Sequence, residues 1–188
     1  GSGTASGGSA VKLQSDNGFV KVNGFINMQS ATWSGQSGSG GSVWLNANNI
    51  SGTGMLNASG LDDSTYGGGG GRIALTSSNV VEFSGIIVNK GGLDTGDRSH
   101  DAGGGSVYIN ASTSIISSMN ITTTGYDGGN ITFKDTLLTL SGVYNATNST
   151  GGTTWERIIV NYTNCSSSFT GATFSPTQTY QTACDLTY

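Results

Sequence analysis

The chain has 188 residues, 32 of them Gly and one Pro, with 34% hydrophobic and 10% charged residues and a net charge of −4. So much glycine with so little charge excludes both a thick-cored globular domain and a disordered polyelectrolyte, and seven Lys and Arg scattered along the chain make no basic patch for nucleic acid or anionic lipid. The apolar runs, such as Ile86 to Val88, fall far short of the roughly 18 residues a membrane helix needs.

In chain order, the predicted elements are short strands that recur. The first coil holds Val11-Lys12-Leu13 after Gly8, then Val20-Lys21-Val22, then Phe25-Ile26 after Gly24. The second opens with Gly40-Gly41-Ser42-Val43-Trp44-Leu45 and has Met55-Leu56 after Gly54. The third reads Gly70-Gly71-Arg72-Ile73-Ala74-Leu75, Val81-Glu82-Phe83 and, after Gly85, Ile86-Ile87. The fourth reads Gly104-Gly105-Ser106-Val107-Tyr108-Ile109, with Met119-Asn120 after Ser118. The fifth reads Gly128-Gly129-Asn130-Ile131-Thr132-Phe133, Leu138-Thr139-Leu140 and, after Gly142, Val143-Tyr144; Glu156 to Val160 is a sixth copy without its glycines.

Successive copies lie roughly 24 to 34 residues apart, the length of a solenoid coil. Apolar residues at the first and third strand positions with a variable residue between them give a period of two and one buried face. No window sustains a helical period, and Gly, Ser, Thr and Asn interrupt throughout. The expectation is an all-β, parallel β-helix of about six coils over residues 1–160, three short strands per coil, stabilised by stacking.

The segments Gly40 to Ala47 and Gly67 to Leu75 resemble the glycine-rich coils of pectin-lyase-like β-helix repeats in large prokaryotic surface proteins, over roughly residues 7 to 160. The resemblance implies a right-handed β-helix and an outer-surface setting. It implies no reaction, because lyases, adhesins, phage spikes and structural fibres share that fold.

The loops hold most of the acidic residues. In register, Asp62, Asp94 and Asp127 would form one column of like charge that a cation could neutralise, so Asp62, Asp94, Asp97, Asp101 and Asp127 are candidate Ca²⁺ ligands, with Asp63 beside them. The alternative is Asp as a solvated turn former. A polysaccharide-cleaving site would draw on Asp94, Asp97, Arg98 and Asp101. Ser99-His100-Asp101 is no triad by adjacency, since triad members must converge in space, and the five-glycine run ending at Gly71 lacks the Lys-Ser or Lys-Thr of a phosphate loop and is expected to permit a sharp return of the chain. The outward column Lys12, Trp44, Ala74, Tyr108, Thr132, Ile159 leaves Trp44 and Tyr108 as surface aromatics suited to a sugar or a neighbouring subunit.

Nine Asn-x-Ser/Thr sequons are present. Asn49, Asn57, Asn110, Asn120, Asn145, Asn148, Asn161 and Asn164 are candidate N-glycan acceptors, and Asn130 opens a strand. Asn27, Asn57 and Asn145 have a second reading as a stacked amide ladder. Cys165 and Cys184, the only cysteines, are expected to pair as a disulfide closing a loop of about 20 residues and contributing roughly 3 kcal/mol. Residues 161–188 then form a distinct C-terminal cap or strand-donating arm. The first repeat begins almost at once, so its edge is expected to be uncapped and open to the tail of another copy. Together these features predict a secreted, glycosylated, non-enzymatic surface protein that polymerises head to tail. A carbohydrate-binding or carbohydrate-cleaving module is the alternative.

Overall fold

The computed structural model describes residues 5–33, 35–97, 99–148, 156–176 and 179–182, and of Trp33 and residues 179–182 the backbone alone. Among these residues there are strands and no helix. The first coil contains β1 (Ala10–Lys21), β2 (Phe25–Asn27) and the small loop strands β3 (Thr32–Trp33) and β4 (Gln36–Ser37); the second contains β5 (Ser42–Gly52) and β6 (Met55–Asn57). The third has β7 (Arg72–Phe83) and β8 (Ile86–Val88), and the fourth β9 (Ser106–Asn110), β10 (Ser114–Ser117) and β11 (Asn120–Thr122). The fifth has β12 (Asn130–Asp135), β13 (Leu137–Leu140) and β14 (Val143–Asn145), followed by β15 (Arg157–Tyr162), β16 (Thr173–Ser175) and β17 (Thr179–Thr182).

Two parallel sheets wind through the coils, β1-β5-β7-β9-β12-β15-β17 with β10 and β13 beside that path, and β16-β14-β11-β8-β6-β2, while β3 and β4 pair antiparallel with each other. The chain is therefore a parallel β-solenoid: five full turns lead from β1 to β15, and β16 and β17 extend a sixth. Alternating apolar residues can be buried only where the next coil repeats them, and it does. Val11, Val43, Ile73, Val107, Ile131 and Ile158 lie in one register column, and Leu13, Leu45, Leu75, Ile109, Phe133 and Val160 in the next. From the second coil onward both columns are at most 1% exposed, which is worth about 1.5–3 kcal/mol for each such side chain.

Three expectations are corrected. The first and third strands of a coil are not separate in the first three coils, where β1, β5 and β7 run through the bend as strands of 12, 11 and 12 residues. The register shifts by a bulge there instead, and Ser77 Oγ closes the bend of β7 by donating to Asn48 O at 2.6 Å and accepting from Asn79 N at 3.1 Å. In the fourth coil the second sheet is one residue later than predicted: Asn120 aligns with Ile86 and Ile121 with Ile87, so Met119 takes the place that Gly24, Gly54, Gly85 and Gly142 hold elsewhere. Finally, the expected boundary at 160/161 falls inside β15. Residues beyond it continue the solenoid, since Phe174 pairs with Tyr144 and Thr179 with Ile159 in the existing registers.

The third side of each coil is loop, stacked through its backbone: Gly60 N donates to Lys90 O and Gly91 N to Thr124 O, while Gly40 N donates to Gly69 O and Gly70 N to Gly103 O. The glycine pairs belong here. A Cβ on Gly41 would stand 1.8 Å from Ser9 O, and one on Gly71 1.9 Å from Gly41 O. The glycine run therefore serves close approach between coils rather than a sharp turn. Positive φ is found at Gly35, Gly52, Gly128 and Gly171, none of them in that run.

Candidate functional site

The most chemically loaded place is the loop between β8 and β9. It is built on the coil beneath: Leu93 N donates to Asp62 Oδ1 at 2.7 Å, Asp63 N to Leu93 O at 3.0 Å and Thr95 N to Asp63 O at 2.7 Å. Asp101 then braces the loop from inside, accepting from Asp94 N at 2.6 Å. Asp94, only 1% exposed, accepts from Gly96 N at 2.9 Å and from His100 N at 3.3 Å, and its Oδ2 lies 3.6 Å from His100 Nδ1. Asp97 accepts from Ser99 N and Ser99 Oγ at 2.9 and 2.6 Å. These Ser99 bonds, hydroxyl first, hold the Asp97 carboxyl below the usual carboxylate range; Asp94 and the His100 charge act in the same direction. The ring of Tyr66, one coil below, lies 4.3 Å from the His100 ring.

Of the predicted cation ligands, the fold brings together Asp94 and Asp97 and adds His100. One ligand atom from each lies within 4.8 Å of the others. Asp62 is spent on the Leu93 amide, Asp63 rather than Asp62 forms the bridge to Asp94, and Asp101 serves as a brace whose Oδ2 is buried without a hydrogen bond. Asp127 is not in the group, so the expected column of Asp62, Asp94 and Asp127 does not form. The coil carrying Asp127 has a shorter loop, and Tyr126 bonds to Ala102 instead. Two carboxylates and an imidazole suit a transition ion of the zinc type better than Ca²⁺, which prefers six to eight oxygens. Arg98, needed for the polysaccharide-cleaving reading, lies outside the described residues.

A serine-type relay does not fit. Ser99 Oγ is 2.8 Å from His100 Nδ1, but Asp94 approaches the same nitrogen and Ser99 lies within donating distance of Asp97. A working triad uses opposite ring nitrogens for the nucleophile and the acid.

Trp44 and Tyr108 are 41% and 37% exposed in the predicted outward column. Trp44 is pinned: its Nε1 donates to Thr76 Oγ1 at 2.9 Å and Lys12 Nζ sits 4.1 Å above its ring. Beside this column runs an open polar groove of about 360 Å³ along the glycine pairs, with Ser42, Arg72, Ser106 and Asn130 on its wall.

Among the sequons, Asn57 is overturned as a glycan acceptor. It is 7% exposed and its Oδ1 accepts from Ser59 N at 3.0 Å. Asn27 and Asn57 stack in register, but the amide ladder does not extend to Asn145, because Val88 and Thr122 separate it from Asn57 in that column; Asn27, Asn57 and Asn145 each accept from the amide two residues on. Asn49, Asn110, Asn145, Asn148 and Asn161 are half-buried, while Asn120, Asn130 and Asn164 are exposed. Cys165 lies exposed on the turn after β15, and Cys184 lies outside the described residues.

Sequence reasoning missed Tyr66 and the pairing of His100 with Asp94. The signal for Tyr66 was its position one coil below, visible once coils are aligned through the bond from Gly67 N to His100 O. Comparison of the chain with protein-family models, with characterised proteins and with solved structures gives no significant match.

Proposed function

We propose that the chain is a structural module of an extracellular surface fibre, a right-handed β-helix that stacks head to tail on further copies of itself. The observation that carries this reading is the open side of the first coil. Among the described residues β1 pairs only with β5 and β2 only with β6, and such strand edges present N–H and C=O groups that a further coil can pair. Leu13 is 38% exposed, whereas its column mates Leu45, Leu75 and Ile109 are at 0%. Val11, Val20 and Ile26 are half-covered, while Val43, Ile50 and Leu56 opposite them are buried. A further coil on this side, which the proposal assigns to another copy of the chain, would bury them. At the far end of the described residues β17 continues the same parallel ladder, so a strand added beyond it in parallel would have the polarity of β1, and a contact of that kind repeats without closing.

Electron microscopy of the full chain is expected to show filaments with an axial repeat of about 34 Å, the seven layers from β1 to β17 at about 4.8 Å each. Leu13→Lys should shorten or abolish them. A chain that stays monomeric at high concentration, or a Leu13→Lys variant that polymerises like the parent, rejects the fibre.

N-linked glycans and a Cys165–Cys184 disulfide belong to the same proposal and fit an oxidising, secretory setting. Intact mass should be two hydrogens below the fully reduced chain, and peptides from the natural source should carry sugar on Asn145, Asn148 or Asn164; free thiols or bare asparagine throughout would remove these parts. The polar groove beside Trp44 supports a second reading, a carbohydrate-binding module. On that reading Arg72→Ala and Trp44→Ala weaken glycan binding without affecting assembly, and a cleaving enzyme would lose activity on joint replacement of Asp94 and Asp97 by Asn.

A further inference from the structure

The outer face of the β2-β6-β8-β11-β14-β16 sheet is free of charge. Segments 23–27, 53–57, 84–88, 118–122, 141–145 and 171–175 contain no Asp, Glu, Lys or Arg, although the chain has eleven acidic and seven basic residues. In each strand the middle residue points inward, to Leu56, Ile87, Ile121 and Tyr144 at 0% exposure. The residue before it points out, and in register these make one column: Phe25, Met55, Ile86, Asn120, Val143, Thr173. Phe25, Ile86 and Val143 are 58%, 47% and 49% exposed. Missing coils do not explain this, because Ile86 and Val143 belong to coils with a neighbour on both sides. The column is flanked by Asn23, Thr53, Ser84, Ser118 and Ser141, all exposed, polar and uncharged.

We propose that this face is a lateral contact between two copies of the chain, their sheets packed face to face about 10 Å apart. Three features select a second copy as the occupant. The apolar residues recur at the pitch of the coils, so the face is complementary in spacing to itself. A net charge of −4 opposes the meeting of two copies by their charged faces, and this face, without charged residues, adds nothing to that opposition. A lipid surface would instead be met by basic and aromatic anchors, and apart from Phe25 and the inward Tyr144 and Phe174 the face offers neither. Six five-residue segments about 4.8 Å apart span about 29 Å by about 16 Å, about 460 Å² per copy, short of the roughly 800 Å² per partner of a standard specific interface and within the range of weak, transient contacts. Free chains therefore pair weakly, and chains joined in series pair strongly by avidity. Asn120 lies within the column with Oδ1 accepting from Val143 N at 3.0 Å, and Asn145 is two residues beyond Val143 on the same strand, so both sequons stay unmodified in paired material and sugar is confined to Asn148 or Asn164 there. The inference is independent of head-to-tail stacking.

Sedimentation velocity of the full chain over a concentration series is expected to show a dimer. Ile86→Lys combined with Val143→Lys should raise its dissociation constant at least about tenfold, and Ile86→Ser, which adds no charge, should move it the same way. Ile116→Lys, at a residue 45% exposed on β10 outside this face, should leave it unchanged; circular dichroism checks that each variant is folded. A chain monomeric throughout the series, a dimer indifferent to Ile86 and Val143, or a dimer lost on Leu13→Lys instead would overturn the lateral contact, the last leaving head-to-tail stacking intact. Binding of phosphatidylcholine vesicles through Ile86 without dimerisation would overturn it in favour of a membrane surface.

Discussion

The side chain of Asn89 is fully buried and fully bonded. Its Oδ1 accepts from Gly71 N at 2.7 Å and its Nδ2 donates to Gly71 O and Ser106 O at 3.0 Å each, so one amide ties the coil it starts from to both passes of the returning chain. Asn89→Ala removes these three hydrogen bonds and leaves a small buried void, while Gly71 N keeps Ala58 O and Gly71 O keeps Ser106 N, and should cost about 2–3 kcal/mol in urea unfolding, against about 0.5 kcal/mol or less for Asn130→Ala on the surface. Asp135 is the opposite case, a carboxyl 7% exposed with Oδ2 unbonded. Burial pushes its pKa up, although amide bonds from Thr136 and Leu137 oppose the shift. A folded-state pKa above the unfolded one means that the folded chain binds the proton more tightly, so stability falls as pH rises from the unfolded pKa through the folded one. Asp135→Asn should therefore gain on the parent between pH 4 and pH 7. A parent that instead gains on the variant over that window would refute the assignment.

At the scale of elements, the glycine run offers a matched pair. A Cβ at Gly71 meets backbone at 1.9 Å, whereas at Gly69 the nearest atom is Ser39 Oγ at 3.4 Å. Gly71→Ala should cost more than about 3 kcal/mol or prevent folding, and Gly69→Ala should be tolerated, as thermal melting of the two variants will test. The strands themselves were legible because the period of two survives in every coil: Val43 and Leu45 or Ile131 and Phe133 announce the buried face wherever they occur. The loop site was less legible. Its chemistry depends on which residue of Asp62 and Asp63 faces Asp94, a choice of one position that the loop lengths decide and that no local pattern encodes. The shift at Met119 was hidden for the same reason, since Ser118 mimics the small residue that precedes the strand elsewhere. The lateral face lay in plain view as apolar pairs such as Ile86-Ile87, but a pair reads as core until the pleat shows that one member must point outward.

For the whole molecule, each coil touches only the coils before and after it, so protection should follow position in the stack. Amides of β1 should exchange faster than those of β7 and β12 in the unassembled chain, and polymerisation should erase the difference; equal protection of β1 in monomers would count against an open first coil. The in-register stacking has a mechanical corollary. A load applied along the solenoid axis falls on the inter-coil ladders one after another, not on all at once, so the rod should yield by shedding coils singly. Spacings of roughly 24 to 34 residues would each pay out about 80 to 115 Å of chain, the longest from the stretch between Ile73 and Val107 that holds the Asp94 loop. Stretched, the molecule would behave as a ratcheted shock absorber whose successive step lengths spell out its loop insertions in order.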